Sequence, residues 1–424
     1  MEMSGTGAML RHKRVLAASL IGTAVEFYDF YIYATAASLI FPSLFFPASS
    51  PSAQLMASYG SLALAFFARP LGAAVFGHYG DRIGRKATLV TSLMLMGGST
   101  LAIGFLPTYL MIGWWAPLIL CILRFGQGFG LGGEWGGAAL LAVENAPPGW
   151  RARFGMFPQL GAPVGFLAAN GLFLLLGMFL TDADFFAWGW RLPFLGSAVL
   201  VILGLWIRLK LTETPEFAAA KAEAPPPAVP LATLFQSHLG AAIAGTFACA
   251  ACFAVYYIAT AFALGYGTTT LKIDRETFLA IQLGAILFMA LSILVAGWWS
   301  DKTSPTRVLA IGCVGTVVMG VIFGPAIGTG QLLPIFLILS LALFLMGFVY
   351  GPLGAYLPHL FPVQLRYTGA SFSFNLGGIL GGALAPIVAT WLIQARGVEL
   401  VGLYMSAAAA ISLGGLWFTS RAPR

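Results

Sequence analysis

The sequence predicts an all-α membrane protein, with twelve transmembrane helices in two pseudo-symmetric six-helix bundles. Three observations predict it. The chain is 59% hydrophobic and only 9% charged, with a mean hydropathy of +0.88, whereas a soluble domain carries about 25% charged residues. Its apolar runs are continuous and about 20 residues long, the length of a helix that crosses hydrocarbon, and lack the alternation of barrel strands. Finally, Gly77-His-Tyr-Gly-Asp81-Arg82 returns as Gly297-Trp-Trp-Ser-Asp301-Lys302, an offset of 220 in a chain of 424 residues.

The spans fall at 15–41, 55–77, 87–106, 116–143, 155–180, 189–209, 239–264, 278–299, 308–328, 332–352, 369–393 and 399–419. Their order defines an N-terminal half (1–209), a linker (210–238) and a C-terminal half (239–424). The linker reads KLTETPEFAAAKAEAPPPAVPLATLFQSH, proline-rich and charged. Sixteen of the 22 lysines and arginines lie on one set of flanks, from Arg11, Lys13 and Arg14 through to Arg421 and Arg424, and four on the alternate loops. Basic residues stay on the cytoplasmic side, so both termini are expected there, in a multi-pass protein of the cell (inner or plasma) membrane. The same distribution accounts for the net charge of +7, and no nucleic-acid partner is expected. Glu26 and Asp29 interrupt what would be the apolar core of a signal peptide, so the first span is read as retained.

Four cysteines, Cys121, Cys249, Cys252 and Cys313, all sit in apolar runs. The C-x-x-C pair in ACAAC has no histidine or further thiol nearby and reads as packing. Neither a metal nor a cofactor is expected.

Charges inside spans are costly, about 3 kcal/mol at mid-bilayer, and mark functional positions. Span four contains RFGQGFGLGGEWGGA, residues 124–138. On a helix Arg124, Gln127, Leu131 and Glu134 share a stripe about 80° wide, while the glycines let neighbouring helices approach closely. A buried ion pair that only fixes packing is the alternative. Span one adds Glu26 and Asp29, one turn apart, and span two adds Arg69. At 1.5 Å per residue Glu26 lies roughly 16 Å deep, Asp29 roughly 21 Å, Glu134 roughly 14 Å and Arg69 roughly 12 Å from the cytoplasmic side. Depth alone pairs Asp29 with Arg124, and Arg69 with Glu26 or Glu134. Three acids against two arginines leave a surplus carboxylate that can exchange a proton, so Asp29, Glu26 and Glu134 are the proton-coupling candidates. Arg124 and Arg69 offer forks for a substrate carboxylate, and Gln127 is a further candidate contact. On span five Gln159, Pro163, Phe166 and Asn170 share a face, and the segment from Gly161 to Gly165 is expected to bend. The second half has no charge inside a span; its candidate contacts are Tyr256, Tyr257, Gln282, Tyr350 and Asn375.

Gly77–Lys86 reads G-x-x-x-D-R-x-G-R-K. Together with twelve spans and the linker, it resembles the major facilitator superfamily. GTAVEFYDFYIY (22–33), ARPLG (68–72), the span-four stretch, WGWRLPF (188–194), LTETPEF (211–217) and FPVQLRYTGAS (361–371) resemble the metabolite:proton symporters within it, nearest the general inner-membrane metabolite transporters and shikimate or organic-acid carriers. The resemblance implies a cytoplasmic latch at Gly77, Asp81, Arg82 and Arg85, with Asp301 from the decayed second copy. It also associates Arg124–Gly128 (R-x-x-Q-G) with proton coupling.

The implied function is proton-coupled symport of a small organic acid, a carboxylate or shikimate-like, into the cytoplasm by alternating access, by a monomer and not an enzyme. The expected partners are the acid, protons and the lipid bilayer. A zwitterionic osmolyte symporter (betaine or proline) and a proton-coupled antiporter or exporter are the alternatives. An enzyme is disfavoured because no span carries H-E-x-x-H or a nucleophile–base pair, and a channel because no filter-like repeat is present.

Overall fold

A computed structural model of the chain describes the backbone of residues 12–47, 50–83, 85–132, 134–210 and 230–421; side chains at 14, 77–89, 207–210, 230, 364 and 420–421 are outside the description. Every regular element among the described residues is helical. Among the described residues ten helices are long and apolar enough to cross a bilayer, the bent pair Asp182–Gly189 and Arg191–Trp206 adds an eleventh, and Val90–Phe105 is a shorter apolar helix in the place of the third span. With Val90–Phe105 counted as the third span the crossings number twelve among the described residues, and the outer ends of the first and last helices lie on one face, the terminal face.

Span one is Lys13–Leu39, span two Pro51–Ile83, span three Arg85–Phe105, span five Arg151–Phe179, span eight Arg275–Lys302, span nine Pro305–Gly328 and span twelve Glu399–Arg421. The others are interrupted. Span four is Trp115–Leu131 followed by Glu134–Glu144, and span six is Arg191–Lys210, bent by 44° from the short helix before it. Span seven runs as Leu239–Tyr257, a wide π turn at Ile258–Phe262, then Ala263–Thr269. Span eleven has a second π turn at Ile379–Ala383 between Arg366–Gly378 and Ala385–Arg396. Span ten, Leu332–Tyr350, continues beyond the expected end as Leu353–His359. A π turn adds a residue to the ring and leaves carbonyls for side chains to satisfy.

Within the first half span one packs on span five, two on four, and three on four and six. Within the second, seven packs on eleven and twelve, eight on ten, and nine on ten and twelve. The halves meet most extensively where span five packs on span eight and span two on span eleven; span one also meets span seven, and the second part of span four meets span eleven. The glycines of span four make the close approaches that their pattern suggested. A Cβ on Gly128 would land on the Ala65 backbone, and one on Gly132 on the backbone of Arg69 and Ala73. Span five, Arg151–Phe179, is one helix that contains Pro158 and Pro163. Gly161 and Gly165 serve close packing on span one, where a Cβ would meet Thr23, Ala24 and Tyr28. Part of the linker is also ordered. Pro230–Ser237 is a helix whose Leu234 packs with Ala242, Phe361 and Leu365; residues 211–229 are outside the description.

Candidate functional site

Span one presents three aromatic rings and a carboxylate within five residues, 29–33, little more than one helical turn, and these organise the centre. Arg124 is fully buried, its guanidinium carbon 4.1 Å from the Phe30 ring centre and 4.0 Å from that of Tyr33. Arg69, on span two, lies 4.3 Å from the same Phe30 ring and 5.1 Å from Phe66. Two cations therefore share one ring, a placement that the negative faces of aromatic side chains stabilise. Arg124 Nη1 donates to Gln127 Oε1. Its Nε and Nη2, and Arg69 Nε, have no hydrogen-bond partner.

Asp29 is fully buried but does not pair with Arg124, contrary to the depth argument. Its carboxylate accepts from Ser197 Oγ (2.6 Å) and lies 3.4 Å from the Thr100 hydroxyl. Gln127 Nε2 donates to Thr100 Oγ1 (2.8 Å) and to the Asp29 carbonyl (3.0 Å). Arg124 thus reaches Asp29 through two neutral groups. The second depth pairing also fails, because Arg69 makes no ion pair among the described residues. Helix rotation explains both failures: Phe30 and Tyr33 face the arginines, and Asp29, one position round, faces spans three and six. Glu134 accepts from Ser92 Oγ at 2.9 Å, and Glu26 is buried, 7% exposed.

The other expected contacts divide into two layers about the arginines. Toward the opposite face, Asn170 Oδ1 accepts from Thr35 (2.6 Å), and Gln282 Nε2 donates to the Ala259 and Thr260 carbonyls freed by the π turn (3.0 and 2.8 Å). Ser38 and Tyr59 close this layer by donating to the Ala261 carbonyl at 3.0 and 2.7 Å. Tyr256 stacks on Tyr31 at 5.1 Å, and Tyr257 stands edge-on to Phe66 at 5.2 Å. Toward the terminal face, Gln159 donates to the Tyr350 carbonyl (2.8 Å) and accepts from Trp135 (3.0 Å). Asn375 donates to the Gly132 carbonyl across the halves at 2.8 Å. Trp135 lies flat on Phe374, ring centres 3.8 Å apart and planes 3° apart. The centre is therefore shut from both sides.

Each face also carries a tie. On the terminal face Asp301 accepts the backbone N–H groups of Ala152 (2.8 Å) and Arg153 (3.0 Å), capping span five, and pairs with Arg153 Nε at 3.3 Å. On the opposite face Arg275 pairs with Asp182 at 3.0 Å and lies over Phe185 at 3.8 Å. Gly77, Asp81, Arg82 and Arg85 fall where side chains are outside the description; the backbone is helical through Ile83 and again from Arg85. The cysteines are free. Among the described residues no group of three or more His, Cys, Asp or Glu could hold a metal ion.

The sequence reading missed Phe30, Tyr33, Thr100, Ser197, Trp135 and Phe374. The run EFYDFYIY carried the signal for the first two, since aromatics flanking a buried acid at helical spacing form a wall around it. Nothing local singles out Thr100 or Ser197.

Comparison with known proteins agrees with this architecture. Residues 15–228 match the family described as sugar (and other) transporter. Over 411 residues the chain is 49% identical to the inner membrane metabolite transport protein YhjE of Escherichia coli (strain K12), covering 96% of this chain and 93% of that protein. It is 37% identical over 419 residues to the shikimate transporter of the same strain, covering 96% and 94%. Its fold matches the proton:xylose symporter XylE bound to 6-bromo-6-deoxy-D-glucose, with a TM-score of 0.74 at 15% identity, covering 98% of this chain and 96% of that one.

Proposed function

This chain belongs to the sugar (and other) transporter family of the major facilitator superfamily, and on that premise we propose that it carries a small organic acid with protons into the cytoplasm by alternating access. The observation that carries the proposal is Arg124, fully buried with two N–H groups unpaired. A buried donor without an acceptor costs about 1–3 kcal/mol. A carboxylate of the substrate supplies the acceptor, and the planar fork suits it.

Proton coupling follows from the link to Asp29. An anion on the unpaired Nε and Nη2 of Arg124 offsets the guanidinium charge and adds negative charge near the carboxylate. Charge repulsion then favours proton uptake at Asp29, and proton and anion cross together. Glu26 and Glu134 are further acids on this path. The terminal face is assigned to the cytoplasm by its lysines and arginines, and the membrane to the inner or plasma membrane, as the name of the YhjE relative supports. The path lies within one chain, so the working unit is a monomer. We further assign the two six-helix halves, 1–209 and 239–424, as the rocking bodies.

A zwitterion is the second reading, favoured by the aromatic pairs Tyr31–Tyr256 and Trp135–Phe374 on either side of the arginines, since aromatic faces hold quaternary ammonium groups. Uptake into proteoliposomes under an imposed inward proton gradient separates them. Accumulation of a mono- or dicarboxylate or a ring hydroxy acid, but not of betaine, is the expected result. Accumulation of betaine alone would overturn the arginine-centred reading, and efflux driven by the same gradient would reverse the direction.

A further inference from the structure

We propose that Glu134 is the group through which the proton of Asp29 leaves toward the terminal face, by a route inside the first half that Met96 plugs and Asn375 gates; this rests on the proton-coupling reading above. The starting observation is the direction of the acids. On span one Phe30 and Tyr33 face Arg124, while Asp29 turns to spans three and six. The same rotation recurs on span four. Trp135 lies flat on Phe374 of the other half, while Glu134, one position back, accepts from Ser92 Oγ of span three at 2.9 Å. Both acids thus stand behind aromatics that line the boundary between the halves. A substrate moving along that boundary does not pass them.

Span three joins the two acids. Ser92, Met96 and Thr100 are spaced four residues apart, share one face and are buried. Thr100 stands at Asp29 and Ser92 at Glu134, roughly 12 Å apart along the helix, with Ser92 nearer the terminal face. Asp29 lies within reach of the Glu134 charge. Met96 fills the gap, its carbonyl accepting from Thr100 Oγ1 at 2.9 Å. A thioether donates no hydrogen bond, so the polar column is interrupted there. The side chain is unbranched and turns easily, yet span four holds it closely. A Cβ on Gly130 would fall 2.9 Å from Met96 N and 3.0 Å from Met96 Cβ. Among the described residues Glu26 on span one and Arg69 on span two are the other charged side chains buried at this depth.

The gate is the break in span four. Its helix stops at Leu131 and resumes at Glu134. Within the break the Gly132 carbonyl accepts from Asn375 Nδ2 of span eleven at 2.8 Å. Glu134 is therefore two positions from a tie to the other half. When the terminal face opens, that bond and the Trp135–Phe374 stack are lost, and the segment from Glu134 to Glu144 is free to turn. Met96 then swings aside. The proton passes from the Asp29 carboxyl to the Glu134 carboxylate and on to water at the terminal face, and the Asp29 carboxylate left behind is held by Ser197. One movement releases substrate between the halves and the proton behind them.

The test uses the full-length chain in proteoliposomes with a trapped pH dye and an imposed proton gradient, and no organic acid. Met96→Ser, which sets a hydroxyl and room for water in the gap, should leak protons about tenfold faster than the wild type or more. Met96→Leu, which keeps the gap apolar, should stay tight. Adding Glu134→Gln or Asp29→Asn to Met96→Ser should bring back the wild-type rate. A leak that survives Glu134→Gln would overturn the exit. Asp29→Asn then separates the two readings, stopping that leak if Asp29 couples and leaving it if the coupling reading falls as well. A Met96→Ser carrier as tight as the wild type would overturn the route and leave Asp29 in coupling. The gate is read separately with dicyclohexylcarbodiimide, an apolar reagent for protonated carboxyl groups, the labelled residue being located by mass spectrometry. Asn375→Leu, similar in size but without the donor, should label at Glu134 about fivefold faster or more. Labelling at the wild-type rate would overturn the gate.

Discussion

Replacing Arg124 by lysine keeps the charge and removes the geometry. In the wild type the guanidinium is held between the Phe30 and Tyr33 faces, spends Nη1 on Gln127 and leaves Nε and Nη2 for a ligand. An ammonium can keep the bond to Gln127 and approach one ring, but it cannot offer two parallel donors to a carboxylate. Hydrogen bonds to charged groups contribute about 1.5–3 kcal/mol each, so loss of one should weaken substrate binding about 10- to 150-fold. Stability should change little, because lysine also removes buried N–H groups that the empty site leaves unpaired, offsetting a lost ring contact of about 1 kcal/mol. The assay is binding to the purified carrier by titration calorimetry, with thermal unfolding as the control. Affinity within twofold of wild type would refute the reasoning, since the fork would then not be what holds the substrate. A large drop in melting temperature alongside lost binding would place Arg124 in the fold instead.

Asp29→Asn removes the exchangeable proton while keeping acceptance from Ser197; gradient-driven accumulation should vanish while substrate exchange at equal pH continues, and undiminished accumulation would take Asp29 out of coupling. Gly128→Val sets branched carbons against the Ala65 backbone and should destabilise the chain by about 1–3 kcal/mol or more, read by thermal unfolding in detergent. Gly22→Ala, where nothing lies within 4 Å, should be neutral. Asp301→Asn loses the charge that caps span five and pairs with Arg153, so the terminal face should open more often. A thiol introduced by Ala355→Cys, with the four native cysteines replaced, should then alkylate about fivefold faster or more. An unchanged rate would mean that this tie does not hold the face shut.

The fold was legible because each span's length and apolarity are local properties, and the repeat around Asp81 and Asp301 is local too. What was not legible are the breaks. Nothing in IATAF or ILGGA distinguishes a π turn from a continuing helix, because the extra residue is accommodated by partners far along the chain. For span seven these are Gln282, Ser38 and Tyr59, which take up the loosened carbonyls. The glycines of span four were read correctly as close-approach positions. Those of span five were read for a bend, and their close approach to span one became visible only once that helix was in place.

The site shows why depth is weaker than rotation as a guide. Counting residues from the membrane edge put Asp29 and Arg124 at one level, which is consistent with the relay that joins them. It said nothing about direction round the helix, and a difference of one residue, 100°, sends Phe30 to the arginine and Asp29 to Ser197 and Thr100. The consequence is chemical. A direct ion pair would hold the carboxylate charged whether or not substrate is bound, because each charge stabilises the other. Under the proposed mechanism, separation by Gln127 and Thr100 lets the arginine take an anion and the carboxylate a proton. In the proposed coupling Gln127 is the group that links the two: its carbonyl oxygen is on Arg124, while its amide nitrogen is on Thr100 and the Asp29 backbone. A symporter of anion and proton needs two sites that sense each other without neutralising each other, and a neutral amide between them meets that need where the ion pair inferred from depth would not.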